Sequence, residues 1–361
     1  MSQARSRIVP TLAAALAVAV AVAGCGGDSG GGGDDESGSG MTAVTMGTVN
    51  GSSSDAAMFV GMDKGFFRES GIEIKLQPFN TGAQFVAPLG AGRLDAASGG
   101  ISAGLFNAVG SGVNIKLVAD KSRIGKPSYT SLLVRKQLVD SGDYKDFSDL
   151  KGRKVAIPSV GVPPHHELDL FLRKAGLTIK DVQLEQIGFA DMVSALSNGS
   201  VDAAVIIEPS ATKAVQTGDA VRVAGVDEVF PDQETAALFY SEGFIDEKPE
   251  AAQKLMDAYL KSIRYYMSAL EGSKLKGERG EEIARILTKF TAIKDPKVFM
   301  TIPLHVVDPD GQLDPASIQK DVDFWRAQGL IKSDVEVKEA IDESFIDKSV
   351  KAAGPAEEPA K

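Results

Sequence analysis

Apolar and polar positions along the chain switch between two periods, and the switches mark its elements. Residues 72–79 read Ile-Glu-Ile-Lys-Leu-Gln-Pro-Phe, an alternation that predicts a half-buried strand. Residues 44–49 predict an earlier strand, broken by Asn50-Gly51 and a run of serines. Ser52, Ser53, Ser54 and Asp55 are capping types ahead of Ala56-Ala57-Met58-Phe59-Val60, so a helix starts there. Asn80-Thr81-Gly82 turns the second strand into a helix ending near Gly90 and Gly92, and 94–98, 115–119 and 131–135 predict further strands. A short helix at 148–152 and a strand at 154–158 follow. Pro164 then suits the first position of a helix whose apolar face carries Leu168, Phe171 and Leu172. Strand 182–187, helix 192–196 and strand 201–207 complete this stretch. Amphipathic patterns at 251–270, 280–290 and 315–328 predict helices packing back on the first half. Tyr265, Tyr266 and Trp325 lie on them as core residues. Strands alternating with helices predict an α/β fold with parallel or mixed sheets.

Part of this pattern is written twice. Phe66-Phe67-Arg68-Glu69-Ser70-Gly71-Ile72-Glu73-Ile74 returns as Phe171-Leu172-Arg173-Lys174-Ala175-Gly176-Leu177-Thr178-Ile179. Leu89-Gly90-Ala91-Gly92-Arg93-Leu94-Asp95-Ala96-Ala97 returns as Leu196-Ser197-Asn198-Gly199-Ser200-Val201-Asp202-Ala203-Ala204. Two similar α/β units predict two lobes facing each other across a cleft. Residues 41–140 plus 230–350 are expected to form lobe 1 and 141–229 lobe 2, with two chain crossings as the hinge.

The ends of the chain change the picture. Arg5 and Arg7 precede an apolar run at 8–22, and Ala23-Gly24-Cys25 follows. This is the layout of a secretory signal over 1–24, shorter than the roughly 20 residues that span a bilayer. The motif resembles a bacterial lipobox, which implies lipidation of Cys25 and anchoring to the cell membrane. Cys25 is the one cysteine, so no internal disulfide forms and the lobes are held by core burial. Residues 25–40, rich in Gly, Ser and Asp, predict a flexible tether with a reach of about 20 Å. Residues 351–361 predict a disordered tail. The formal charge is −10, and loss of Arg5 and Arg7 with the signal would take it to −12. No basic cluster with interleaved aromatics occurs, so nucleic acid is not an expected partner. A monomer is expected.

Several motifs then occur in a fixed order: Phe59-Val60-Gly61-Met62-Asp63-Lys64-Gly65-Phe66-Phe67, Gly71-Ile72-Glu73-Ile74, Gly92-Arg93-Leu94-Asp95-Ala96, Asp149-Leu150-Lys151-Gly152-Arg153-Lys154-Val155-Ala156, Gly199-Ser200-Val201-Asp202-Ala203-Ala204 and Glu208-Pro209. With them the chain, over about 44–330, resembles the nitrate/sulfonate/taurine group of ABC-transporter substrate-binding proteins, which also includes thiamine-precursor binders. The resemblance implies a type II periplasmic-binding-protein clamshell outside the cytoplasm, delivering a small molecule to permease and ATPase subunits.

Ligands of open α/β sheets sit beyond the carboxyl ends of the strands. Applied to the strands above, this rule selects Ser52, Ser53, Ser54, Asp55, Asn80, Thr81, Gly82, Gln84, Gly99, Gly100 and Ser102 in lobe 1. In lobe 2 it selects Ser159, Gly161, His165, His166, Phe189, Asp191 and Glu208. The resemblance supports the 52–54 loop, Thr81-Gly82, Gly100 to Ser102, the 159–166 loop and Glu208, and Glu208 accepts either from an amine or hydroxyl of the ligand or from backbone at the strand end. Helix N-termini present free N–H groups and a positive dipole end, so a small organic anion such as a sulfonate or carboxylate is the preferred ligand. His165 and His166 point about 100° apart on a helix, so at most one is expected at the ligand. Val162-Pro163-Pro164, where many relatives have small hydroxyl residues, favours a larger or flatter ligand. Lys121 and Arg123, near the first crossing, either close over the anion or stay as solvated charges.

An enzyme is one rival reading, because the resemblance extends to thiamine-pyrimidine synthases. Those carry a cysteine-rich motif, whereas Cys25 lies outside the predicted fold. No metal-ligand spacing or phosphate loop stands out, so no cofactor or metal is expected and the chain reads as a non-enzyme. A lipid-anchored ligand sensor or adhesion protein is the other rival.

Overall fold

The computed structural model describes residues 40–49, 53–79 and 81–356. The first sheet takes β1 (Thr42–Val49), β2 (Ile72–Phe79), β3 (Ala96–Gly100) and β4 (Ile115–Arg123). The second takes β5 (Thr130–Arg135), β6 (Lys154–Ile157), β7 (Gln183–Gln186), β8 (Ala203–Ile207) and β9 (Ala220–Gly225). β10 (Glu234–Ser241) then returns to the first sheet. The strand orders are β2-β1-β3-β10-β4 and β7-β6-β8-β5-β9, the same topology twice. β1 pairs in parallel with β2 and β3, and β6 with β7 and β8. β10 and β5 run antiparallel to both of their neighbours.

The repeated sequence has a structural cause. Asp95 accepts from the Thr45 backbone N–H at 2.8 Å, and its own N–H donates to the Thr45 carbonyl at 3.0 Å. Asp202 does the same with Lys154, at 3.1 and 2.8 Å. In each lobe the repeated Asp therefore ties the turn before β3 or β8 to the neighbouring parallel strand, β1 or β6, using a charge-assisted bond to backbone.

The predicted strand at 131–135 forms but belongs elsewhere. It was expected in lobe 1, and β5 instead lies between β8 and β9 in the second sheet. The first crossing is thus at 124–129, well before residue 141, and the second at 229–233. Thr130 to Val134 are all buried, so this strand has no solvent-facing side to show which sheet it joins.

Helices cover both faces. The helix Ala56–Lys64 packs on the long helix Pro249–Met267, and Phe59 stacks on Phe290 of the helix Gly277–Phe290 at 4.7 Å between ring centres. Tyr266 and Trp325 are fully buried, as the helical spacing anticipated, and Tyr265 is partly buried. Gly61 lets two helices approach, since a Cβ there would stand 2.0 Å from the Ser262 hydroxyl. The final helix, Ser344–Ala353, runs past residue 350, and the Ala356 N–H donates to Asp310 at 2.8 Å. Residues 351–353, expected to be tail, are helical instead; buried Phe345 and Ile346 hold this helix against the first lobe.

An ion network braces the crossings. Arg123, at the end of β4, lies 2.9 Å from Asp120 and 3.1 Å from Glu234, and reaches Asp308 at 3.9 Å. Burial pushes Asp120 up to about 6 and Glu234 well above the ordinary carboxylate range, while Arg123 offsets part of the rise. Protonated Asp120 favours the fold below its ordinary pKa of about 4, and that contribution is lost as pH rises through about 6. Above that pH, Arg123 is the group that compensates the buried charge. Arg123→Met is expected to destabilise the protein by roughly 3–5 kcal/mol at pH 8 and by clearly less at pH 5. Urea unfolding at the two pH values measures this, and an equal loss at both would contradict it.

Candidate functional site

A cavity of about 120 Å³ lies between the two sheets. Its wall is built from the carboxyl ends of the parallel strands and the amino ends of the two antiparallel ones. After β1 comes Ser54, after β2 Thr81 and Gly82, and β3 ends on Gly100. Lys121 of β4 and Thr235 of β10 complete the first lobe's side. The second lobe supplies Thr130, Ser159, Glu167, Phe189 and Ile207, together with Val162, Pro163 and Pro164. Most of this wall is hydrocarbon, with polar groups at a few points, the usual composition of a small-molecule pocket.

On the first lobe, Thr81 caps a 3-10 turn, Gly82–Phe85, through a reciprocal bond with Gln84. Gly82 lies against β3 so closely that a Cβ would stand 2.8 Å from the Gly100 backbone nitrogen. Only glycine lets this loop reach the cavity. Lys121 is 2% exposed and lies 3.0 Å from both Asp55 and the Ser54 hydroxyl, and Ser98 donates to Asp55. The sequence left Lys121 either solvated or at the ligand; it is buried at the cavity wall, with its charge matched by Asp55. Arg123 belongs to the ion network at the crossing.

Tyr129 couples the lobes at the back of the cavity. Its hydroxyl lies 3.1 Å from Ser122 and 3.0 Å from Thr235, both in the first sheet, while the next residue starts β5. Burial raises its pKa, so it stays a neutral hydrogen-bonding group.

The helix Pro163–Arg173 decides the second lobe's contribution. Pro163 and Pro164 occupy its first turn and lack N–H groups, so this helix end offers fewer donors than expected for an anion. The face carrying Pro163, Pro164 and Glu167 meets the cavity, following the i, i+3, i+4 rule. Glu167 is 1% exposed, and its Oε2 has no hydrogen-bond partner among the described residues. Burial pushes its carboxyl well above the ordinary range, and the charge of Asp321 adds to the shift.

His165 and His166, of which at most one was expected at a ligand, both turn the other way. His166 stacks on Phe324 at 4.5 Å, and its Nδ1 lies 2.6 Å from Asp321. Both partners sit on the helix Pro315–Ala327 of the first lobe, so this contact bridges the lobes. Gln233 donates to both oxygens of Asp321, at 3.1 and 3.0 Å. His165 packs edge-on against Phe324 and accepts from the Gly161 N–H at 3.4 Å, and burial lowers its pKa to about 4. Gly161 is absent from the cavity wall, but its carbonyl accepts from the Ala103 N–H of the first lobe at 2.8 Å. Its φ of +74° and the nearby Ala103 side chain both require glycine.

Three other expected residues serve structure. Glu208 is buried and bound by Arg222 and by the Thr212 N–H at 3.0 Å. Ser102 caps the helix Ala103–Gly110, and Ser53 is buried outside the wall. Ser54, Thr81, Gly82, Gly100, Ser159 and Phe189 do come together there. Ser52, Asn80 and Cys25 lie outside the described residues. Glu167 and Tyr129 were missed. For Glu167 a signal existed: with Pro164 opening the helix, position 167 shares its face.

This fold is found in known proteins. The structure superposes with a TM-score of 0.65 on the periplasmic aliphatic sulphonate-binding protein SsuA of Escherichia coli, at 20% identity, covering 88% of this chain and 94% of that one. With the periplasmic nitrate-binding protein NrtA of Synechocystis PCC 6803 the TM-score is 0.71 at 14% identity, covering 87% and 89%. The architecture is therefore the type II periplasmic-binding-protein clamshell, with mixed sheets in both lobes. In sequence, the chain is 27% identical over 199 residues to a Brucella abortus protein named only as a binding protein, covering 55% of this chain and 58% of that relative. The match thus spans less than two thirds of the relative's length. Residues 37–276 match the NMT1-like family model, and the chain belongs to that family.

Proposed function

We propose that the protein is the extracytoplasmic solute-binding component of an ABC importer, which closes its two lobes over a small organic molecule and delivers it to a permease. The observation that carries this reading is a cavity walled by both lobes at the strand ends, where the chain crosses only twice between sheets. A solute touching both walls stabilises the closed form by its differential affinity for it. The sequence over 1–25 supports export and a lipid anchor on Cys25, with residues 26–40 as the tether.

The site also bears on the class of solute. The nitrate- and sulphonate-binding names of the structural neighbours support an anionic group. Such a group would take hydrogen bonds from Lys121, Ser54 and Thr81 on the first lobe. It would meet little net positive charge, because Asp55 already matches Lys121 and two prolines occupy the facing helix end. The rest of the solute would lie against Pro163, Phe189 and Ile207, which suits a flat organic body.

Thermal unfolding of the purified protein against sulfonates, carboxylates, pyrimidines and nitrate tests this reading. A bound solute at about a thousand times its dissociation constant adds about 4 kcal/mol, a shift of several degrees. No shift with any class, and no co-purified small molecule, would contradict solute binding. The bridge between lobes makes a second prediction. His166→Ala, which touches no cavity surface, is expected to weaken the binding of any solute so identified about tenfold by disfavouring closure. An unchanged dissociation constant would show that this contact does not hold the closed form.

A further inference from the structure

Two ionisable side chains other than a tyrosine face the cavity, and their situations differ. Lys121 is matched by Asp55 at 3.0 Å. Glu167, on the opposite lobe, is as deeply buried, yet its Oε2 meets no donor among the described residues. The neighbouring donors are already committed. The Tyr129 hydroxyl is engaged by Ser122 and Thr235, and His166 is paired with Asp321 on the far side of the helix. A buried carboxyl without a partner is costly and calls for an explanation. Burial holds it toward the neutral form while the cavity is empty.

We propose that Glu167 is the specificity-determining residue of the cavity and that it receives a basic nitrogen of the solute, an amine or amidine-type group. With Lys121 and Asp55 cancelling, an ionised Glu167 gives the cavity wall a net charge of −1, which a cationic nitrogen neutralises. The solute would then be read at two ends: an acceptor end by Ser54, Thr81 and Lys121 of one lobe, and a nitrogen end by Glu167 of the other. This division makes full binding depend on closure, since neither lobe holds both ends. The inference rests on the solute-binding reading above and narrows it to nitrogen-bearing compounds.

The test uses the purified full chain and its Glu167→Gln and Glu167→Ala variants. Each is exposed to benzamidine, benzylamine, benzoate and benzenesulfonate, and each is examined by mass spectrometry for small molecules retained from an extract of the producing cells. Without solute, Glu167→Gln is expected to be at least as stable as the natural protein, because it removes a buried unpaired carboxyl; a residue with a purely structural role would lower stability. The compound bound by the natural protein, whether a probe or a retained molecule, is expected to carry a basic nitrogen and to lose about 100-fold in affinity in Glu167→Gln. A bound compound without such a nitrogen, or one held as tightly by the variants as by the natural protein, overturns the inference while leaving solute binding intact. If the natural protein binds no probe and retains nothing from the extract, solute binding itself fails and this inference falls with it.

Discussion

Strands β5 and β10 run against their neighbours, and each enters its sheet directly after a crossing between lobes. Interior strands leave no backbone group unpaired, so β3 and β4 in one sheet, and β8 and β9 in the other, depend on that incoming strand for their hydrogen bonds. The first lobe completes its sheet only when the chain returns with β10, whereas the second sheet is built within residues 130–225. These two antiparallel strands place the amino ends of β5 and β10 beside the carboxyl ends of the parallel strands, and this edge is where the cavity forms. Fold, hinge and site thus follow from one constraint on backbone pairing.

Charge is handled differently in three places along this edge. At the crossing, Arg123 compensates Asp120 and Glu234 deep in the fold. Behind the second lobe's helix, His166 and Gln233 satisfy Asp321 across the interface between lobes. At the cavity, Asp55 matches Lys121 from behind the wall, and Glu167 Oε2 has no partner among the described residues. The first two arrangements serve the fold and its closed form; the third is available to a ligand.

Much of the fold was legible in the sequence because its period changes are clear. β2 was read to its ends, and the repeated Asp95 and Asp202 marked corresponding turns. β5 was assigned to the wrong lobe because it is buried on both faces, so its pattern names no sheet. β10 escaped notice because Glu234 and Thr235 open it, polar residues whose partners lie far away in sequence. Of the residues that strand-end reasoning selects, Ser54, Thr81, Gly82, Gly100, Ser159 and Phe189 line the cavity. Of His165 and His166 at most one was expected at a ligand, and neither lines the cavity, because the helix face that meets it carries Pro163, Pro164 and Glu167. Glu208 does accept from backbone beyond the strand end, one of its two readings, while its partner Arg222 lies on a strand that had not been identified.

A crystal structure of the purified protein with its solute would test the central claim most directly. The account predicts one small molecule enclosed between the lobes, touching Ser54 or Thr81 on one side and Glu167 or Phe189 on the other. A solute bound outside this cavity, or held by one lobe alone, would contradict it.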